Sequence, residues 1–408
     1  MSTMLPGAAQ IKSRFPVFTA AGGERLHYLD NAATTQTPEA VLRAMDDYLR
    51  AGQGPVHRGL YALGERASAV YEDARAEIAR FIGASLPQEL VFTRSATESI
   101  NLVAEGWLRQ RLAPGDQVWV TRQEHHSNFL PWQRVCSDCS AELCIIELQA
   151  DGSLDLEGSP GLLGPRTRLI ALTLISNVLG LANPVQQLCA AARERGIPVL
   201  VDAAQAVALG QLDVAALDCD FSAFSAHKMY GPDGIGALYA RHARMAEIQP
   251  LLVGGGMVDS LTESGARWSP PPSGLEAGSP NVTGAVGFAA AARWLAGMDL
   301  GAARRRLDEL ARYAWHALQE LPTMLLYSPA GSHILAFNLG EIHPHDVAQV
   351  ASEHGVAVRA GHHCCQPLLQ FLGVPATVRL SLALYNDERD IDALVAALGE
   401  ARALFGDA

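Results

Sequence analysis

No run of more than three lysines or arginines occurs in this chain of 408 residues, and 31 basic residues against 43 acidic ones leave a formal net charge of −12. Phosphate backbones are held by clustered cations, so this composition argues against a general nucleic-acid binder. A long uninterrupted apolar run is also missing. The most apolar stretch, 169–185, is broken by Thr173, Ser176, Asn177 and Asn183, which suits a buried strand and loop rather than a membrane span. The opening Met-Ser-Thr-Met-Leu-Pro-Gly lacks the charged and apolar segments of a secretory signal, and the expected location is the cytoplasm. Cysteine is scarce and odd in number, seven in all, which fits a reducing compartment better than a disulfide framework. Cys136 and Cys139 form a Cys-x-x-Cys, but no second ligand pair follows at zinc-site spacing. The run Gly254-Gly255-Gly256 has neither the strand–glycine–helix setting nor the lysine of a nucleotide loop, and reads as part of a flap or interface loop over about 254–274.

What is present is a hydrophobic content of 49%, enough for two domains and a substantial core. Short apolar strands alternate with amphipathic stretches, the pattern of a mostly parallel sheet covered by helices. One strand, Pro198-Val199-Leu200-Val201, ends in Asp202. The next, Asp220–Phe224, breaks into Ser225-Ala226-His227-Lys228 and then Gly231-Pro232-Asp233-Gly234. Alone, Lys228 reads as a surface lysine in a turn. At the tip of a buried strand it would instead lose proton affinity and become a usable nucleophile. A lysine and a carboxylate at neighbouring strand ends are what pyridoxal phosphate requires, the amine for imine formation and the acid for the ring nitrogen. Upstream, Arg94-Ser95-Ala96-Thr97-Glu98 turns a strand into a helix. It can be a plain N-cap or, with that lysine downstream, a phosphate site built on a helix dipole.

Ser225-Ala226-His227-Lys228-Met229-Tyr230-Gly231-Pro232, Asp202-Ala203-Ala204-Gln205 and Arg359-Ala360-Gly361-His362-His363-Cys364 together resemble the cysteine desulfurases of the aminotransferase class V group, most closely the Suf/Csd type (group II). That type includes cysteine sulfinate desulfinases and selenocysteine lyase-like members, and the resemblance runs from about Tyr28 to Leu398. It implies the fold type I α/β architecture of pyridoxal-phosphate transferases. That means a large domain over 26–282 with a mostly parallel seven-stranded sheet, a smaller C-terminal α/β domain over 283–408, and a loosely ordered arm over 1–25.

The resemblance also implies roles. Lys228, Cys364 and His125 would be catalytic. Thr97, His125, Asp202, Gln205, Ser225, His227, Lys228 and Ser279 would hold pyridoxal 5′-phosphate, with His125 stacked on the ring. Ala33, Asn177, Arg359 and Arg379 would bind substrate, Arg379 gripping its carboxylate with a two-pronged hydrogen bond. Ser279 and the His57-Arg58 loop would reach the neighbouring subunit of a homodimer. The activity implied is conversion of L-cysteine to L-alanine, with cysteine sulfinate or selenocysteine as alternative substrates. A persulfide on Cys364 would pass to a SufE-type acceptor protein for iron–sulfur cluster or other sulfur supply. Two departures stand out, Ala96 where the family often has Thr and Cys365 where it commonly has a small residue. His-His-Cys-Cys over 362–365 could suggest a metal, but adjacent residues rarely face one ion. Another pyridoxal enzyme of this fold, such as a transaminase or kynureninase-like hydrolase, and a non-catalytic cofactor-holding protein are the alternatives, since one scaffold hosts many chemistries.

Overall fold

The computed structural model describes residues 7–405. Its centre is a seven-stranded sheet formed by β1 (Leu90–Thr93), β2 (Gln117–Thr121), β3 (Glu142–Ile146), β4 (Thr167–Thr173), β5 (Val199–Asp202), β6 (Phe221–Ser225) and β7 (Gly236–Ala240). The spatial order is β1-β7-β6-β5-β4-β2-β3. Strands β2 to β6 pair in parallel, whereas β7 runs antiparallel to both β6 and β1. Strands β2, β5, β6 and β7 are buried along their whole length. That explains their continuous apolar runs, because helices cover both faces of such a sheet.

A smaller antiparallel sheet follows, made of β8 (Met324–Leu326), β9 (Ile334–Leu339), β10 (Arg359–Gly361) and β11 (Thr377–Ser381) in the order β8-β9-β11-β10. Helices Leu300–Gln319, Pro344–Glu353 and Glu388–Phe405 accompany it. The helix before them, Val282–Ala296, packs between Glu39–Arg50 and Ala62–Phe81. It is buried on most of its surface, with Ala285, Phe288, Ala291, Ala292 and Leu295 at 0% exposure. A helix that is apolar nearly all round has to be interior.

Three expectations need correction. The arm is not loose: residues 8–12 and 16–19 are helical, and Ile11, Phe15 and Phe18 are buried. Phe15 meets Tyr385 with ring centroids 4.7 Å apart and Trp294 at 5.5 Å, while the Lys12 ammonium pairs with Asp390 at 2.9 Å. The spacing of 11, 15 and 18 is one helical face, but helices of five and four residues carry too little pattern to stand out. Residues 1–6 of the expected arm lie outside the described residues. Second, the stretch 27–31 joins the C-terminal sheet region rather than the large one. His27–Tyr28 pairs with Val356–Ala357, and the Ser381 N–H donates to the Leu29 carbonyl at 2.7 Å. Third, the glycine-flanked segment after residue 254 contains an exposed hairpin, Val258–Thr262 with Gly265–Trp268, where only a loop is expected. No helix among the described residues is long and apolar enough to cross a membrane.

Candidate active site

Strands β1, β2, β4, β5 and β6 deliver residues to one cavity of about 200 Å³ just past their ends. Such a crevice is where open α/β sheets bind ligands. Thr97, His125, Asn177, Asp202, Gln205, Ser225, His227 and Lys228 line it from the large sheet, Ala33 from the N-terminal segment, and Arg359, Cys364 and Arg379 from the small sheet. A larger cavity of about 450 Å³ shares Ala32, Gln205 and Lys228 with it, but the cluster of ionisable groups belongs to the smaller one.

Lys228 closes a single helical turn, Ala226–Lys228, directly after β6. Its side chain is half-buried, open to the cavity and otherwise packed in protein. Burial therefore pushes the ammonium below its ordinary range, with the Asp202 carboxylate pulling the other way. Asp202, 5% exposed at the end of β5, is pushed up by the same burial and held back by Lys228. Its Oδ1 accepts the Ala204 N–H at 2.9 Å, and its other oxygen has no protein donor among the described residues.

The turn from β1 into the helix Ala96–Val103 offers free N–H groups at a helix start, with Ser95 as the extended N-cap. The Ser225 hydroxyl accepts the Ala96 N–H at 2.8 Å, so a serine from β6 supplies a hydroxyl next to the position where Ala96 has none. Strand β7 crosses beneath this turn so closely that a Cβ on Gly236 would lie 2.7 Å from the Ser95 backbone and 2.8 Å from the Phe224 carbonyl. Only glycine lets the turn sit there.

The Thr97 hydroxyl is 2.7 Å from that of Ser127, which in turn is 3.0 Å from His125 Nδ1. The Ser127 N–H also donates to that nitrogen at 3.1 Å, so the ring proton resides on Nε2. Burial pushes His125 down to about 3, and it stays neutral at any ordinary pH. Its neighbour Glu124 is fully buried and pushed up to about 8 by burial. Its carboxyl accepts from Thr121 Oγ1 at 2.6 Å, Asn128 Nδ2 at 2.5 Å and the Thr173 N–H at 2.9 Å, which pins the end of β2 to β4.

Arg379, 2% exposed on β11, donates from Nη2 to Asp30 at 3.0 Å and from Nη1 to the Asn177 carbonyl at 2.8 Å. Its Nε has no hydrogen-bond partner among the described residues. Asn177 in turn donates from Nδ2 to the His363 carbonyl at 2.9 Å. The two cysteines separate cleanly. Cys364 is half-buried and lines the cavity, whereas Cys365 is 0% exposed with its Sγ 3.8 Å from the Arg122 carbonyl. Burial pushes the Cys365 thiol far above its ordinary range. His363 and Cys364 both adopt left-handed backbone, with φ of 51° and 53°. Each such residue other than glycine costs about 1–3 kcal/mol, strain that tends to collect at functional sites.

Ser279 is the one expected residue outside this cavity. It is exposed and lies with His57, Arg58 and Gly256 around a separate depression of about 560 Å³. Sequence reasoning missed Asp30, Ser127, Glu124 and His363. Asp30 had a readable signal, a carboxylate at a strand end, as did Ser127 two residues beyond His125. Glu124 did not, because nothing in the chain says that its side chain turns inward.

The side chains present fit pyridoxal phosphate: a buried amine, a carboxylate with a free oxygen one strand away, a flat neutral imidazole, and a hydroxyl-rich helix start for the phosphate. The aminotransferase class-V family model matches residues 27–394. A cysteine desulfurase of Klebsiella pneumoniae is 45% identical over 401 residues, covering 97% of this chain and 98% of its own. One from Serratia proteamaculans is 43% identical over 400 residues, with 97% and 98% covered. The crystal structure of the Escherichia coli cysteine desulfurase CsdA superposes with a TM-score of 0.91 at 39% identity, covering 98% of this chain and 99% of that one. An apo cysteine desulfurase from Thermococcus onnurineus gives the same TM-score of 0.91 at 36% identity, with 98% and 99% covered. With its site geometry and these relatives in accord over nearly the whole length, the chain belongs to the aminotransferase class-V family and, within it, to the cysteine desulfurases.

Proposed function

We propose that this cavity binds pyridoxal 5′-phosphate and converts L-cysteine to L-alanine, leaving the sulfur as a persulfide on Cys364. The observation that carries this reading is the meeting of Lys228, Asp202 and Arg379 with one half-buried thiol in a single cavity. A transaminase has no use for that thiol. When bound, the cofactor supplies a carbonyl that captures amines and a ring that stores electrons.

The residues then divide the work. Lys228 would hold the cofactor through its amine, which burial keeps short of protons, and its free amine would serve as the base for the α-proton. Asp202 would keep a proton on the ring nitrogen, and the neutral His125 imidazole would cover the ring. Thr97, Ser225 and the helix start at Ala96 would take the phosphate, and Gln205 and His227 would add further contacts to the cofactor. Arg379 fixes the substrate carboxylate, with Asn177, Arg359 and Ala33 completing that wall. The Cys364 thiolate attacks the substrate sulfur. An S–S bond forms as the Cβ–S bond breaks, the bonding pair stays on the carbon side, and proton return gives alanine.

The sulfur then passes to a SufE-type acceptor protein for iron–sulfur cluster or other sulfur supply. The seven cysteines are all unpaired, which suits the cytoplasm. Purified enzyme given L-cysteine and a dithiol reductant should release alanine and sulfide in equal amounts. A keto acid without sulfide would instead mean a transaminase.

The enzyme works as a homodimer with composite sites. Support comes from Ser279, His57 and Arg58, which are exposed and together yet line no part of the cavity of their own chain. The loop bearing Ser279 is rigidly held: Glu276 accepts from Arg75 Nη1 at 2.6 Å, from Tyr71 at 2.9 Å and from the Phe92 N–H at 2.7 Å. Mixing Lys228→Ala with Ser279→Asp subunits is expected to restore activity that neither homodimer has. A hybrid as inactive as its parents, or a fully active monomer in sedimentation, contradicts the composite site.

A further inference from the structure

The loop that carries Cys364 concentrates unfavourable features in two residues. His363 and Cys364 lie in the left-handed region, with φ of 51° and 53°, which residues bearing side chains rarely adopt. His363 is also 3% exposed, and its Nδ1 has no hydrogen-bond partner among the described residues. Local rules broken together point to a functional demand at that place. Several hydrogen bonds hold the loop against these costs. Asn177 Nδ2 donates to the His363 carbonyl at 2.9 Å, and the His126 N–H donates to the Cys364 carbonyl at 2.7 Å. The Cys364 N–H donates to His362 Nδ1 at 3.1 Å.

One attachment is different in kind. His363 Nε2 lies 3.1 Å from the Thr377 carbonyl and 2.9 Å from its hydroxyl. A carbonyl only accepts, so Nε2 carries the ring proton. Thr377 and Arg379 are two apart on β11 and share a face of it. The imidazole therefore ties the thiol loop to the strand that presents the arginine. Burial first, then the Arg379 charge, pushes this ring down to about 3, and it remains an uncharged strut.

We propose that His363 is a positioning residue for sulfur transfer: anchored to Thr377, it holds the Cys364 thiol at a fixed place relative to the substrate gripped by Arg379. The proposal rests on the desulfurase reading and deepens it. Positioning is worth much in such a step, because a misplacement of about 1 Å can cost on the order of 10²-fold in rate. It should matter only where the thiol is needed. Sulfur bound to carbon is a poor leaving group unless something takes it, whereas selenium leaves more readily by itself.

The test compares L-cysteine with L-selenocysteine on cofactor-loaded wild type, His363→Ala, His363→Gln and Thr377→Val. His363→Ala should lose on the order of 10²-fold on L-cysteine, keep most of its L-selenocysteine turnover, and keep the wild-type cofactor absorbance. His363→Gln, whose amide N–H can still reach Thr377, should recover much of the L-cysteine activity. Thr377→Val, which retains the carbonyl acceptor, should show a smaller loss with the same substrate bias. If His363→Ala fails to fold, Thr377→Val decides the matter by that bias. Equal losses on both substrates, or no loss on L-cysteine, overturn the positioning role. A wild type that releases no sulfide from L-cysteine overturns the desulfurase reading instead.

Discussion

Lys228→Ala protein is expected to purify colourless, to take up pyridoxal phosphate only reversibly, and to desulfurate no measurable L-cysteine. The wild type should be yellow, with an absorbance band lost on borohydride reduction. The amine does two jobs in the proposed reaction, covalent attachment and proton removal, and proton transfer alone is worth about 10²–10⁴-fold. The fold should survive the change. Its charge partner Asp202 is already pushed upward by burial, so without the lysine it takes up a proton rather than remaining a bare buried anion. The near-ultraviolet circular dichroism and melting temperature should therefore stay close to those of the cofactor-free wild type. A coloured, reducible complex in Lys228→Ala would mean that another amine holds the cofactor.

The second large effect separates the two adjacent cysteines. Cys364→Ala should keep the cofactor band and lose at least on the order of 10²-fold on L-cysteine, equivalent to about 2.7 kcal/mol at about 1.36 kcal/mol per decade. It should retain much of its turnover of selenocysteine or cysteine sulfinate, whose leaving groups need less help. Cys365→Ala should be near wild type on all three substrates. Its thiol is fully enclosed and pushed far from ionisation, so it can neither meet substrate nor act as a thiolate. Its replacement should cost only about 1 kcal/mol of stability, the usual size for a point change. The reverse result, with Cys365 essential and Cys364 dispensable, would place the nucleophile one residue later. Undiminished desulfuration in both variants would contradict the sulfur chemistry while leaving the cofactor site intact.

Much of this site is legible in the sequence, for a physical reason. Cofactor and substrate groups sit at strand ends, and a buried parallel strand announces itself as an apolar run that stops at a polar residue. Asp202 after Val199-Leu200-Val201 and Lys228 after Phe221–Ser225 are read that way directly. The thiol motif after Arg359 was legible by its composition, and the family resemblance pointed to Cys364, although nothing in the residues themselves says which of the two adjacent thiols faces the site. Burial ranks them, and burial depends on packing against Arg122, more than two hundred residues earlier in the chain. His363 escaped for the same reason, since its anchor at Thr377 is a tertiary contact within the small sheet.

The N-terminal arm shows a different limit. Ile11, Phe15 and Phe18 carry a helical spacing, yet two helices this short gain their stability from the aromatic cluster of Tyr230, Trp294 and Tyr385 rather than from local propensity. The hairpin over 258–268 was unreadable because neither face is buried in the chain, so no alternation of apolar and polar residues marks it.

The central claim is that sulfur leaves L-cysteine by way of Cys364, and a single turnover tests it most directly. Cofactor-loaded enzyme mixed with a small excess of L-cysteine, without reductant, should form one alanine per active site. Peptide mass spectrometry should then find one added sulfur atom on the peptide holding Cys364, at Cys364 itself and removable by dithiol. Alanine formed with no sulfur retained on Cys364, or sulfur found on Cys365 instead, would contradict the account.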